Sequence, residues 1–189
     1  MPARTSFSRA VLGLFLVFIL SGCAPAEPAP PLQLPEPALE LCFSSGAGAW
    51  STWMTLYEDG SFEGSFHDSN MGEDGEGYPN GTVYTSRFRG KFVLRGQPQP
   101  HVYELELEQL ENLSSQTEPF IQQGVRYVPS DPYGLEGGRQ FFLYLPDTPV
   151  EELSEEFLSW WPNRFDAQPP RTLTRYGLYN VEMECGFFS

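Results

Sequence analysis

The segment Asp68-Ser69-Asn70-Met71-Gly72-Glu73-Asp74-Gly75-Glu76-Gly77 alternates oxygen-bearing side chains with glycines. Calcium takes oxygen ligands from flexible loops of this kind. Asp68, Asn70, Asp74 and Glu76 are the ligands expected if the loop curls. The EF-hand pattern is not met, because Gly72, Glu73 and Pro79 stand where that loop needs other residues. The plain alternative is an acidic hairpin loop closed by the tight turn Asn80-Gly81. Aromatic residues form the second candidate. Trp50, Trp53, Tyr57, Tyr84, Phe88 and Tyr103 would line a barrel mouth and stack on a sugar or another flat apolar ligand. Their alternative role is to fill a core. Covalent catalysis has little to work with. His67 and His101 are the only histidines. Neither Gly-x-Ser-x-Gly nor His-Glu-x-x-His occurs. A carboxylate pair for glycoside hydrolysis needs a geometry that the sequence does not supply. The expectation is a non-enzymatic domain, with a cell-wall hydrolase as the lesser alternative.

The elements that would position these residues are mainly strands. Thr52–Tyr57 and Phe62–Phe66 alternate between two faces, with Asp59-Gly60 as the turn between them. In the clearest strand, Tyr84, Ser86, Phe88, Gly90, Phe92 and Leu94 share one face, and Gly96–Pro100 ends it. Tyr103, Leu105 and Leu107 then point inward, with Glu104, Glu106 and Glu108 outward. A register whose opposing residue numbers sum to 195 would pair Lys91 with Glu104, Arg89 with Glu106 and Arg87 with Glu108. Such pairs contribute a few tenths of a kcal/mol each and serve mainly to fix register. Further strands are expected near Gly124–Val128, Arg139–Leu145 and Tyr176–Phe187. One amphipathic helix is expected near 149–161. Thr148 would be its N-cap, Pro149 N1 and Glu151 N3, with Val150, Leu153, Phe157 and Trp160 as its apolar stripe. Adjacent Trp160 and Trp161 cannot both face inward equally, so one covers the helix end or meets a partner. Asp131-Pro132-Tyr133-Gly134 reads as a turn. The expected fold is mostly β: an antiparallel β-barrel or strongly curled sheet with one helix.

The N-terminus has a different character. Arg4 and Arg9 precede an apolar run from about Ala10 to Leu20, too short for an ordinary transmembrane helix. The run ends in Leu20-Ser21-Gly22-Cys23. This segment resembles the signal peptide and lipobox of bacterial lipoproteins. The resemblance implies cleavage before Cys23, diacylglycerol on its sulfur and a palmitate-type lipid anchor. It places the folded domain outside the cytoplasm, on the bacterial cell membrane or outer membrane. Ala24 is not the aspartate of a retention signal, which favours the outer membrane in a two-membrane cell. Residues 24–38 contain six prolines. They suit an extended tether of about 3.1 Å per residue. The organisation is therefore a signal peptide over 1–22, a lipidated cysteine with a Pro-rich tether over 23–38, and a single domain over 39–189. Outside the cytoplasm, Cys42 and Cys185 are expected to form a disulfide that brings the first and last strands together. Their alternative state is two buried thiols.

Charge sets the class of partner. Loss of residues 1–22 removes Arg4 and Arg9 and no acidic residue. Eleven basic residues become nine against 25 acidic, and the formal charge moves from -14 to -16. Such a chain repels nucleic acid. The partners expected are the membrane, through the lipid, and a small ligand, a glycan or an envelope protein. A structural lipoprotein that docks an envelope complex is the alternative.

Gly48-Ala49-Trp50 is weakly similar to the Gly-x-Trp of lipocalin-like (calycin) barrels. That resemblance implies a tryptophan capping one barrel end, with Arg175 packed on it. Ser45–Trp50 and Gly75–Thr82 also look like uncharacterised bacterial lipoproteins, a resemblance that brings no activity with it.

Overall fold

Alternating apolar and polar residues produce ten strands. The computed structural model describes residues 32–34 and 37–189. The basic n-region, the lipobox and the tether before Leu32 therefore lie outside the described residues. The strands are β1 (Ala38–Ser44), β2 (Trp50–Tyr57), β3 (Ser61–Asn70), β4 (Thr82–Gln99), β5 (Val102–Asn112), β6 (Phe120–Gln122), β7 (Val125–Pro129), β8 (Gln140–Tyr144), β9 (Gly177–Asn180) and β10 (Cys185–Phe188). Eight of them, β1 to β5 and β8 to β10, each pair antiparallel with the next, and β10 pairs back to β1. The result is a closed up-and-down barrel. The β6–β7 hairpin hangs outside this ring, with β7 running parallel to the start of β4.

Register defines layers of inward side chains across the first four strands. The layer deepest toward the β2–β3 turn holds Leu39, Leu56, Phe62 and Gly90. Above it lie Leu41, Met54, Gly64 and Phe88, and above those Phe43, Thr52, Phe66 and Ser86. At the top, Trp50, Asp68 and Tyr84 are in register at the mouth. Glycine and phenylalanine alternate for a steric reason. A Cβ on Gly64 would lie 2.5 Å from the Phe88 ring, and one on Gly90 2.2 Å from the Phe62 ring. Phe62, Phe88, Phe92, Phe141 and Phe187 are almost wholly buried. The interior of an eight-stranded barrel is wide enough to be filled by side chains or to hold one small ligand, and this one is filled by side chains.

Several expectations are corrected by this arrangement. The Cys42–Cys185 bridge is not formed, and both thiols are free. The strands β1 and β10 are neighbours as expected, but Cys42 lies opposite Phe188. Cys185 is three positions further along, about 10 Å at strand rise. It also belongs to the interior, whereas Cys42 faces outward between buried Leu41 and Phe43. The β4–β5 register sums to 199 to 201 rather than 195, and it shifts at bulges. Arg89 therefore meets Glu111 at 2.8 Å, and Glu106 meets both Arg95 at 2.6 Å and Arg139 at 3.0 Å. The strand β4 runs through Gly96 to Gln99 and ends in a two-residue turn. The expected final strand is instead the hairpin β9–β10.

The helix over 149–161 is also broken up. Thr148 is buried, and its hydroxyl donates to the Leu145 carbonyl at 2.7 Å, so it caps nothing. A 3-10 turn over Val150–Glu152 ends at Leu153. The α-helix α1 is only Glu155–Ser159, with Ser154 as the N-cap that accepts from the Phe157 N–H at 3.2 Å. Phe157 lies flat on the outside of β9 and β10, where Gly177 and Gly186 leave room for its ring. It centres a second core with Tyr144, Leu153, Trp161, Leu173, Tyr179 and Phe188. Trp161 is buried there. Trp160 instead packs edge-on against Phe43 at 4.8 Å and donates its Nε1–H to the Glu184 carbonyl at 2.9 Å. It thereby wedges the short β1–β10 seam. Among the described residues, no helix is long and apolar enough to cross a membrane.

Candidate functional site

The six aromatics expected to share a pocket are distributed over different surfaces. Phe88 and Tyr103 are core residues. Trp53 projects from the outer face of β2 and is 52% exposed. Tyr57 is on that same outer face, and its hydroxyl donates to Glu63. The Tyr84 hydroxyl donates to Glu73 at 2.8 Å, and that carboxylate raises the phenol pKa. Of the six, only Trp50 lines a cavity at the mouth. The barrel is present, but Arg175 does not pack on Trp50. Its guanidinium donates to the Ser189 carbonyl at 2.9 Å, in a groove outside β1 and β10. The rings around Trp50 are Phe43, Tyr133 and Trp160.

The mouth cavity has a volume of about 430 Å³ and is lined by Trp50, Phe66, Asp68, Ser130, Asp131, Tyr133 and Glu136. Trp50 heads β2, and Phe66 and Asp68 end the inward row of β3. The remaining walls come from the connection between β7 and β8. That connection is fastened from below by two buried polar side chains. Thr52 Oγ1 donates to the Tyr133 carbonyl at 2.7 Å, and Asn180 Nδ2 donates to the Gly134 carbonyl at 2.9 Å. Both residues are fully buried. Buried polar groups cost free energy unless they are paired, so this pairing fixes the connection in place. Gly134, at a φ of 92°, turns the chain so that Leu135 plugs the barrel while Tyr133 faces out. A Cβ at Gly134 would also collide with Phe43. Tyr133 packs edge-on to Trp50 at 5.2 Å and tilts against Phe66 at 5.9 Å.

The electrostatics of the mouth are acidic. Asp68, Asp131 and Glu136 line it, and no lysine or arginine does. Partial burial raises the Glu136 carboxyl above the usual range, despite the backbone N–H groups that favour its charged form. Burial raises the Tyr133 phenol too, helped by the nearby Cys185 and Glu136. Beneath the mouth, burial pushes the Cys185 thiol up to about 12. Aromatic rings beside carboxylates can hold a small ligand by stacking and by charge.

The four expected ligands of the acidic loop are divided between the surface and the mouth. Asn70, Asp74 and Glu76 are exposed, while Asp68 sits in the mouth. The residue engaged is Glu73, which was not among the expected ligands. It pairs with Arg126, accepts from Tyr84, and its carbonyl accepts from Thr82 Oγ1 at 2.7 Å. Arg126 also covers the Tyr78 ring at 4.9 Å. The loop is thus latched to β7. Among the described residues, no three His, Cys, Asp or Glu side chains are grouped to hold a metal ion. Sequence reasoning also missed a Ser–His pair. Ser51 and His67 face each other across β2 and β3, with Oγ and Nδ1 3.3 Å apart. Their spacing on two unaligned strands gave no signal. Phe66, Asp131, Tyr133 and Glu136 were missed as well. The only cue was the turn at Pro132-Tyr133-Gly134, and a turn does not tell which barrel end it covers.

No family model, no curated protein and no solved structure matches the chain.

Proposed function

We propose that this chain is a lipid-anchored, extracytoplasmic lipoprotein whose non-enzymatic β-barrel binds a small ligand at its mouth. The anchor rests on the Leu20-Ser21-Gly22-Cys23 motif. Binding rests on one observation, the aromatic and carboxylate cavity built by β2, β3 and the Ser130–Gly138 connection. The course of the chain supports outward display. Leu32 is buried, and its N–H donates to the Glu58 carbonyl at 2.8 Å, in the turn at the end of the barrel opposite the mouth. A tether arriving there points the mouth away from the lipid. Leu32 is nine steps along the chain from Cys23, a reach of about 28 Å if extended.

Two experiments test these parts. Cys23→Ser is expected to release the protein from the membrane fraction, and an unchanged membrane fraction would remove the anchor. The full chain in nonionic detergent is screened against amines, sugars and cell-wall fragments by thermal shift. The expected result is a saturable ligand whose effect is lost in Tyr133→Ala. A screen in which no ligand depends on Tyr133 would overturn binding at the mouth.

A specific observation favours a second reading, the docking of an envelope protein. Trp53 is 52% exposed beside Leu113, which is 39% exposed, in a groove on the outer face of β2 and β3. A stoichiometric crosslinked partner that is lost in Trp53→Ala but retained in Tyr133→Ala would select it.

A further inference from the structure

The chemical class of the ligand can be narrowed, on the assumption that the mouth is the binding site. Five basic side chains make ion pairs among the described residues: Arg89, Lys91, Arg95, Arg126 and Arg139. None of those pairs involves Asp68, Asp131 or Glu136, and no basic residue lines the cavity. Three carboxylates thus share one small concavity without a counter-charge. Walls of low dielectric concentrate their field in the cavity, and the acidic surface around it adds to that field. The same cavity is walled by Trp50, Phe66 and Tyr133. Aromatic faces attract cations, and they suit organic cations better than hydrated metal ions because they also supply apolar contact. One further polar group stands at this level. Ser86 is 2% exposed, and its hydroxyl has no hydrogen-bond partner among the described residues. Its register partner is Phe66, a wall of the cavity.

We infer that the mouth selects a small organic ammonium, a protonated or quaternary amine. The rings enclose its apolar substituents, and Asp68, Asp131 and Glu136 neutralise its charge. A neutral molecule of the same shape gains the stacking but not the charge. An anion is repelled.

The probe is tetramethylammonium chloride, titrated calorimetrically into the full chain in nonionic detergent, with tert-butanol as a neutral molecule of similar shape. Sodium chloride at equal ionic strength controls for screening. The expected result is saturable binding of the cation, at least about tenfold tighter than tert-butanol, as cation–π attraction in a partly desolvated site allows. Asp131→Asn and Glu136→Gln should each weaken the cation several-fold and leave tert-butanol unchanged. Asp131 is exposed, so its substitution does not threaten folding. Tyr133→Leu should weaken both probes. Equal binding of the two probes would overturn charge selection while leaving a binding mouth. Cation binding indifferent to Tyr133, Asp131 and Glu136 would place it elsewhere and overturn the inference. No cation binding also overturns it, while a neutral hit lost in Tyr133→Ala in the screen above would keep the mouth as a site.

Discussion

The two ends of this barrel are built from the same four strands and do different work. Toward the β2–β3 turn, the layers of Leu39, Leu56, Phe62 and Gly90 and of Leu41, Met54, Gly64 and Phe88 carry no polar side chain. Each glycine there accommodates a phenylalanine from the next strand. In the next two layers, the same alternation carries Thr52 and Ser86 and then Asp68 among rings. The closed end spends its inward positions on packing. The mouth spends them on fastening a connection and presenting a surface. Strand periodicity is identical at both ends, so the difference lies wholly in which side chains occupy the inward positions.

Thiol chemistry gives the largest contrast. A Cys185 thiol raised from its ordinary 9.0 to about 12 holds about a thousandfold less thiolate at neutral pH. Iodoacetamide labelling of the native protein should reach half-buried Cys42 first and Cys185 only on unfolding. The intact mass should retain both thiol hydrogens under oxidising conditions. Rapid labelling of Cys185 would show that the floor of the mouth is wet. Phe88→Ala comes next. It removes a ring that is 1% exposed and should cost about 3–5 kcal/mol by denaturant titration. Gly64→Ala, in the same layer, should cost at least about 1–3 kcal/mol by overpacking, because its Cβ would lie 2.2 Å from the Trp53 carbonyl oxygen and 2.5 Å from the Phe88 ring. Combined with Phe88→Leu it should cost somewhat less than the two changes added, because the clash with the ring is relieved while that with the Trp53 carbonyl remains.

At the mouth, Thr52→Val strands the Tyr133 carbonyl and should cost about 1–2 kcal/mol. Its distinctive effect is local. Amide exchange over residues 130–138 should accelerate while the β1–β3 layers at the closed end stay protected. Uniform acceleration would erase the contrast between the ends. Asp59 gives the smallest effect. Hydrogen bonds from the Ser61 hydroxyl and N–H, with Lys91 beyond them, hold its carboxyl at about 2, below the ordinary 3.8. A depressed acid stabilises the folded state above its ordinary pKa and loses that contribution as pH falls from about 4 to 2. Its side chain is 65% exposed, so screening leaves a few tenths of a kcal/mol. Asp59→Asn should flatten that acid limb of the stability curve and change nothing near neutral pH.

The strands were largely legible because a half-buried sheet imposes a period of two. The inward row Ser86, Phe88 and Phe92 and the turn at Asp59-Gly60 appear where the pattern places them. Register was less legible. The bulge between Lys91 and Phe92 lets β5 pass from Leu107 to Leu110 on its inward face, a second before Gly96 takes up a residue on β4, and no alternation rule reports where an extra residue is taken up. The helix was over-extended because Thr148-Pro149-x-Glu151 has the form of a capping box. In the fold, Thr148 is instead consumed by the carbonyls at Leu145 and His101. The candidate site was the least legible. Trp50 was visible as a residue of interest, but Phe66, Asp131, Tyr133 and Glu136 come from segments far apart in sequence.

By itself, the sequence determined the strand periodicity, the acidic charge and the lipobox-like N-terminus. These are local or additive properties, readable from neighbours along the chain. Tertiary structure alone decided that Cys42 and Cys185 face opposite sides of adjoining strands, that Glu73 latches to Arg126, and that Tyr133 meets Trp50 over a plugged barrel. Each of these depends on closure. A residue's partners across a barrel are set by register and shear, and these emerge only when all eight strands pair at once.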